Sequence, residues 1–115
     1  MEKTGTEIHP KEAVKILKEN LQTIDRVGEW ADAMGYSTLK RFSRMFRNYY
    51  GERPGPFLLK TKAGIARRLL KQTDKSHFEI AQLIGKRDEQ ALYHFMKNHT
   101  GKPPSFFRQN GNQNA

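Results

Sequence analysis

Cysteine is absent from the chain, which removes disulfides, thiolate zinc ligands and a cysteine nucleophile together and fits a reducing compartment. No apolar run approaches the roughly 18 residues a membrane span needs, and Met1 to Pro10 lacks the basic-then-apolar profile of a signal peptide. A soluble, intracellular protein is expected. The histidines, His9, His77, His94 and His99, contain no i, i+4 pair of the kind that holds a metal. Neither a glycine-rich phosphate loop nor a G-x-S-x-G elbow occurs, so no catalytic constellation emerges, and neither enzymatic activity nor a cofactor is expected. The 115 residues leave room for one compact domain or two very small lobes that share a helix, and none for a large enzyme core.

Acidic residues are scarce where they would matter most. The net charge is +9, yet residues 1–25 hold Lys3, Lys11, Lys15 and Lys18 against Glu2, Glu7, Glu12, Glu19 and Asp25, so the rest of the chain carries the whole excess. Between Tyr36 and Lys71 ten basic residues meet one acid, Glu52. A merely solvated surface would intersperse acids among the bases, as the first 25 residues do. A local excess of this kind is the electrostatic footprint of a polyanion binder.

What is present is a repeat. With the chain shifted by 50 positions against itself and no gap, Glu29, Ala31, Gly35, Asn48, Gly51, Pro54 and Phe57 fall on Glu79, Ala81, Gly85, Asn98, Gly101, Pro104 and Phe107. Conservative matches lie between, such as Phe42 with Leu92 and Arg47 with Lys97. One supersecondary unit is used twice, with a connector between the copies.

In chain order, His9 and Pro10 open a helix in which Ala13, Ile16, Leu17 and Leu21 form an apolar stripe. Asp25 to Met34 reads as a short helix with Val27, Trp30, Ala31 and Met34 inward, closed by Gly35 as a left-handed cap. Thr38 caps the next helix, which puts Phe42, Met45, Phe46 and Tyr49 on one side and Lys40, Ser43, Arg44 and Arg47 on the other until Gly51 ends it. Pro56 to Gln72 is a connector helix with apolar residues clustered at both ends and Gly64 in its middle, where either a bend or a close helix contact is expected.

The second copy repeats the order with a capping box of Ser76 and Glu79, a Gly85 stop and an Asp88 cap. Its last long helix has Leu92, Phe95 and Met96 inward and Gln90, Tyr93, His94 and Lys97 outward. A short turn from Pro104 to Arg108 folds Phe106 and Phe107 back onto it. The expected organisation is a flexible N-terminus over 1–8, a domain over 9–108 (unit one 9–55, connector 56–72, unit two 73–108) and a disordered tail over 109–115.

A helix, a tight turn containing Gly and a second helix with a basic outer face is the helix-turn-helix arrangement, whose second helix enters the DNA major groove. Lys40, Arg44 and Arg47, spaced about one turn apart with no acid between them, favour a groove-facing role over a solvated face. Gln90 can pair with adenine or be ordinary helix surface, and Tyr93 and His94 can touch DNA or pack locally.

The pattern A-x3-G-x6-[FL]-x3-[FM]-[RK]-x3-G-x2-P, the K-A-x2-A-x2-L-L run from Lys62 to Leu70 and the closing IAQLIGKRDEQALYHFMKNHTGKPPSFFR resemble the DNA-binding domain of AraC/XylS-type transcription regulators. The likeness spans Lys11 to Arg108. It implies an all-α fold of seven helices, with two helix-turn-helix units joined by a central connector helix. It also implies a sequence-specific transcription regulator of double-stranded DNA, an activator more than a repressor. Such a protein reads two successive major-groove segments of an asymmetric site as a monomer, with RNA polymerase as a further partner and a bacterial cytoplasmic, nucleoid-associated location. The base-facing positions implied are Leu39, Lys40, Ser43, Arg44 and Arg47 in the first unit and Glu89, Gln90, Tyr93, His94 and Lys97 in the second.

The chain departs from the family pattern at Lys86, where Phe is usual after the Gly, at Met96, and at Lys62 and Ala63. It has no room for an effector-binding domain, so it is either a small stand-alone regulator or the C-terminal domain of a longer one. The rival reading is a protein-interaction module, with a degenerate helix-turn-helix that binds a transcription partner in place of DNA. A small nucleic-acid enzyme lacks the acid or metal cluster its chemistry would need.

Overall fold

The computed structural model describes residues 7–112, with side chains over 7–109. Among the described residues all regular structure is helical: a single 3-10 turn at Pro10–Glu12 is followed by α1 (Ala13–Glu19), α2 (Val27–Ala33), α3 (Leu39–Tyr50), α4 (Pro54–Gln72), α5 (His77–Leu83), α6 (Glu89–Thr100) and α7 (Pro104–Asn112). The all-α, seven-helix expectation holds. The chain divides into two compact units within α4, between Leu58 and Leu59.

The first unit is built on aromatic rings. Trp30 is fully buried, and its ring lies 5.5 Å from Phe42, 5.0 Å from Phe46 and 6.3 Å from Phe57 between centroids. Such tilted and edge-on pairs add to area burial because ring edges are positive and faces negative. Burial would cost the polar ends of these rings their water, and each finds a carbonyl instead. The Trp30 indole N–H donates to Ala13 O at 3.0 Å, the Tyr36 hydroxyl to Ile8 O at 3.2 Å and the Tyr50 hydroxyl to Pro10 O at 2.8 Å. These bonds, with the Ile8 N–H donated to Met34 O at 2.9 Å, tie down a segment expected to be flexible. Ile8 is held, and so is Glu7 through Arg41; residues 1–6 of that N-terminus lie outside the described residues.

The second unit has a more aliphatic core. Ala63, Ala66 and Leu70 of α4 pack with Ile80 and Ala81 of α5, Leu92, Phe95 and Met96 of α6, and Phe107 of α7. Met96 is fully buried. Lys86 places its ammonium over the Phe95 ring, 4.4 Å from its centroid, so a cation covers the face of that ring.

Several local readings are corrected. Tyr49, expected inward, is half exposed and meets His9 edge-on at 5.3 Å, because it lies at the rim of the apolar stripe. Phe106 is 38% exposed while Phe107 is buried, since adjacent helical positions point about 100° apart and only one can face the core. The connector helix begins at Pro54, ahead of the expected Pro56, as a proline at the first helical position gives up no hydrogen bond. At Gly64 an added Cβ would meet nothing within 4 Å, which removes the close-contact explanation for that glycine. Helix α7 runs to Asn112, past Arg108; of the tail expected to be disordered, residues 113–115 lie outside the described residues.

Arg108 closes the second unit in a way that hydropathy does not reveal. Its guanidinium donates from Nε to Leu70 O at 3.1 Å, from Nη1 to Lys75 O at 2.6 Å and from Nη2 to Thr73 O at 3.0 Å. It thereby satisfies the Leu70 carbonyl in the last turn of α4, which has no helical partner, and two carbonyls of the loop that follows. Arg108→Ala is expected to lower stability by about 1–3 kcal/mol, since charge-assisted bonds are lost and the carbonyls are left to water. Arg108→Lys should recover only part of this, because an ammonium cannot match the planar fork. Urea unfolding checks both variants, and an unchanged midpoint for Arg108→Ala would show the clamp to be idle.

Candidate nucleic-acid interface

The two units present their second helices through matching turns. Gly35 and Gly85 adopt φ values of 82° and 83°, a region open to glycine and strained for other residues. In each turn the Gly N–H donates back three residues, Gly35 to Asp32 O at 3.0 Å and Gly85 to Gln82 O at 3.1 Å. The following N–H reaches back five, Tyr36 to Ala31 O at 3.0 Å and Lys86 to Ala81 O at 2.7 Å. These bonds satisfy the carbonyls left open where α2 and α5 stop. The next helices then start on side-chain caps: Thr38 accepts the Arg41 N–H at 3.1 Å, and Asp88 accepts the Ala91 N–H at 2.9 Å.

Helix α3 buries Phe42 and Phe46, which turns the opposite side to solvent. Leu39 is 50% exposed; Lys40, Arg44 and Arg47 are exposed and Ser43 is half-buried. Lys40, Ser43, Arg44 and Arg47 line one open concavity, joined by Asn48 and Gly51; Leu39 lies outside that lining. Among the described residues none of the three cations forms an ion pair.

The ten bases between Tyr36 and Lys71 do not all face outward. Arg41 pairs bidentately with Glu7, Nε to Oε2 at 2.6 Å and Nη2 to Oε1 at 2.9 Å, and Lys62 is buried. The other eight are exposed. Hydrogen bonding to Arg41 holds the Glu7 carboxyl below the usual carboxylate range. The tie is therefore present at neutral pH and is lost only as the pH falls below that range.

Helix α6 buries Leu92, Phe95 and Met96 and exposes Glu89, Gln90, Tyr93, His94 and Lys97. Glu89, Gln90, Tyr93 and His94 line a second open concavity, whereas Lys97 does not. His77 at the start of α5 and Pro104 and Ser105 at the start of α7 complete it. The Tyr93 ring is 44% exposed and stands edge-on to His94 at 5.5 Å.

His77, Pro104 and Ser105 escaped sequence reasoning because helical periodicity relates residues only within one helix. Asn48 carried a signal: it is one of the repeat identities, paired with Asn98. Among the described residues no group of three or more His, Asp and Glu side chains is placed to hold a metal, and no helix is long and apolar enough to cross a membrane.

Comparison with known proteins gives no match to any family model and none among curated sequences. Solved structures do match. The DNA-binding domain of the global transcriptional factor AdpA, in complex with a target DNA, superposes with a TM-score of 0.76 at 27% identity, over 93% of this chain and 96% of that one. An AraC-type transcriptional regulator from Chromobacterium violaceum superposes with a TM-score of 0.73 at 25% identity, over 93% of this chain and 95% of the other. The C-terminal domain of the response regulator AraT from Geobacillus stearothermophilus shares the fold, with a TM-score of 0.75 at 19% identity over 93% and 88% of the two chains.

Proposed function

For a chain that has the fold of the AraC/XylS-type DNA-binding domains, we propose that both helix-turn-helix units read DNA. Helices α3 and α6 then enter two successive major-groove segments of one asymmetric site, and the protein regulates transcription, as an activator. The observation that carries this reading is the exposed triplet Lys40, Arg44 and Arg47 on the helix that follows the first turn, unneutralised by any acid among the described residues. A helix fits the major groove, and Arg or Lys on such a helix meets base edges while its neighbours neutralise phosphates. The repeat adds a second helix held by the same turn geometry.

In this reading Leu39, Lys40, Ser43, Arg44 and Arg47 serve one half-site and Glu89, Gln90, Tyr93, His94 and Lys97 the other. A single chain carries both, so a monomer suffices on DNA, and contact with RNA polymerase in a bacterial cytoplasm follows from the activator role. Selection of bound duplexes from a random library tests the proposal. The expected site is asymmetric and about 20 bp long, two helical turns, because paired reading helices need half-sites about 34 Å apart. A palindromic site occupied by two chains would overturn the two-segment reading, and retention of no duplex would overturn DNA binding itself.

A further inference from the structure

The two concavities differ in chemistry, and the difference bears on which bases each one can accept. The first is lined by Lys40, Arg44 and Arg47 with the Asn48 amide and the Ser43 hydroxyl. Cationic donors dominate it, and no acid lines it. In the major groove guanine presents two adjacent acceptors, O6 and N7, which an Arg fork or a Lys meets directly. Adenine sets a donor beside its acceptor, and an all-donor side chain meets that pair with one bond fewer.

The second concavity has no Lys or Arg in its lining among the described residues; Lys97 shares the outward face of α6 one turn further along but does not line it. Glu89 is there instead, acceptor-only when ionised: it opposes the guanine acceptors and takes a hydrogen bond only from an amine edge, adenine N6 or cytosine N4, so the choice between those two falls to its neighbours. Gln90 offers both a donor and an acceptor, the pattern that matches adenine N6 and N7. The Tyr93 ring is 44% exposed beside it, with its orientation backed by the edge contact to His94 at 5.5 Å. A ring held at the mouth of a groove-facing helix supplies the apolar contact that a thymine methyl takes and cytosine lacks.

We infer that the DNA site is chemically polar along its length: the half read by α3 is specified through guanine acceptors, and the half read by α6 through adenine and the thymine methyl, with Gln90 and Tyr93 as the specificity-determining pair. The inference rests on the DNA-binding reading above.

The test uses the full chain and a random duplex library, selected in parallel with the wild-type protein, Arg44→Ala and the double variant Gln90→Ala/Tyr93→Ala. Circular dichroism confirms that each variant is folded. The wild-type motif is expected to hold G·C positions in one half and A·T positions in the other, with Arg44→Ala relaxing only the former and the double variant only the latter. On the selected duplex, 7-deazaguanine removes N7 and deoxyuridine removes the thymine methyl. The first substitution should weaken binding about tenfold in the half that Arg44→Ala relaxes, and the second about fourfold in the other half.

Equal guanine dependence in both halves would overturn the inference, as would indifference to uracil or loss of G·C preference in the double variant. In each of these cases duplex binding itself survives, so only the polarity falls. If the wild-type chain retains no duplex, the DNA-binding reading falls first and the polarity with it.

Discussion

Simultaneous replacement of Lys40, Arg44 and Arg47 by Ala is expected to abolish detectable specific DNA binding while leaving the fold intact. The three side chains are exposed, so their removal opens no cavity in the core formed by Trp30, Phe42 and Phe46. Each contact to a base edge contributes about 1–3 kcal/mol of discrimination. Losing the set brings the protein down to its sequence-independent affinity, a drop of about a thousandfold or more.

Replacing Gln90, His94 and Lys97 by Ala should instead leave a weaker complex that protects about half of the site. That face carries one Lys, with Glu89 at the helix start, where a carboxylate suits the helix dipole but repels phosphate. Footprinting both variants on the selected duplex decides the matter. The first unit does not dominate if the second triple costs as much as the first, or if its footprint still spans both turns.

Binding is also expected to fall about a thousandfold or more between 50 and 200 mM salt, the response of a face making roughly 6 to 10 phosphate contacts and releasing a comparable number of counterions. The structure supplies the cations for such a response: eight of the ten bases between Tyr36 and Lys71 are exposed, while Arg41 is held by Glu7. Titration of the selected duplex against salt, followed by fluorescence anisotropy, measures the slope. A flat response would point to the rival reading, a partner-binding module whose contacts are apolar or hydrogen-bonded.

The elements that were legible in the sequence are those set by short-range chemistry. Thr38, Ser76 and Asp88 cap the helices they were expected to cap, because capping needs only a side-chain oxygen and an N–H three residues away. Gly35 and Gly85 stop helices for a reason equally local. The outward faces of α3 and α6 followed from periodicity, since burying Phe42 and Phe46, or Leu92 and Met96, leaves few choices for the rest of the wheel.

What was missed depends on residues far apart in the chain. Glu7 meets Arg41 across 34 positions and Arg108 meets Leu70 across 38, and no periodicity encodes such pairs. His77 joins the second concavity from a different helix for the same reason. Tyr49 and Phe106 were misplaced at stripe edges, where a residue's hydropathy says that it can be buried but not that there is room.

Helix α4 has a bearing on the ancestry of the chain and on its divisibility. Leu58 near its start belongs to the first core, and Ala63, Ala66 and Leu70 belong to the second. The first core is walled by α1, α2, α3 and that start, the second by the rest of α4 with α5, α6 and α7. In the sequence repeat Pro54 and Phe57 at the start of α4 correspond to Pro104 and Phe107 of α7, so α4 begins as the closing helix of the first copy and continues as the opening helix of the second. The boundary between Leu58 and Leu59 is the point in that helix at which neither core loses a side chain. A protease nick or an engineered split elsewhere along that helix strips buried side chains from one of the two cores.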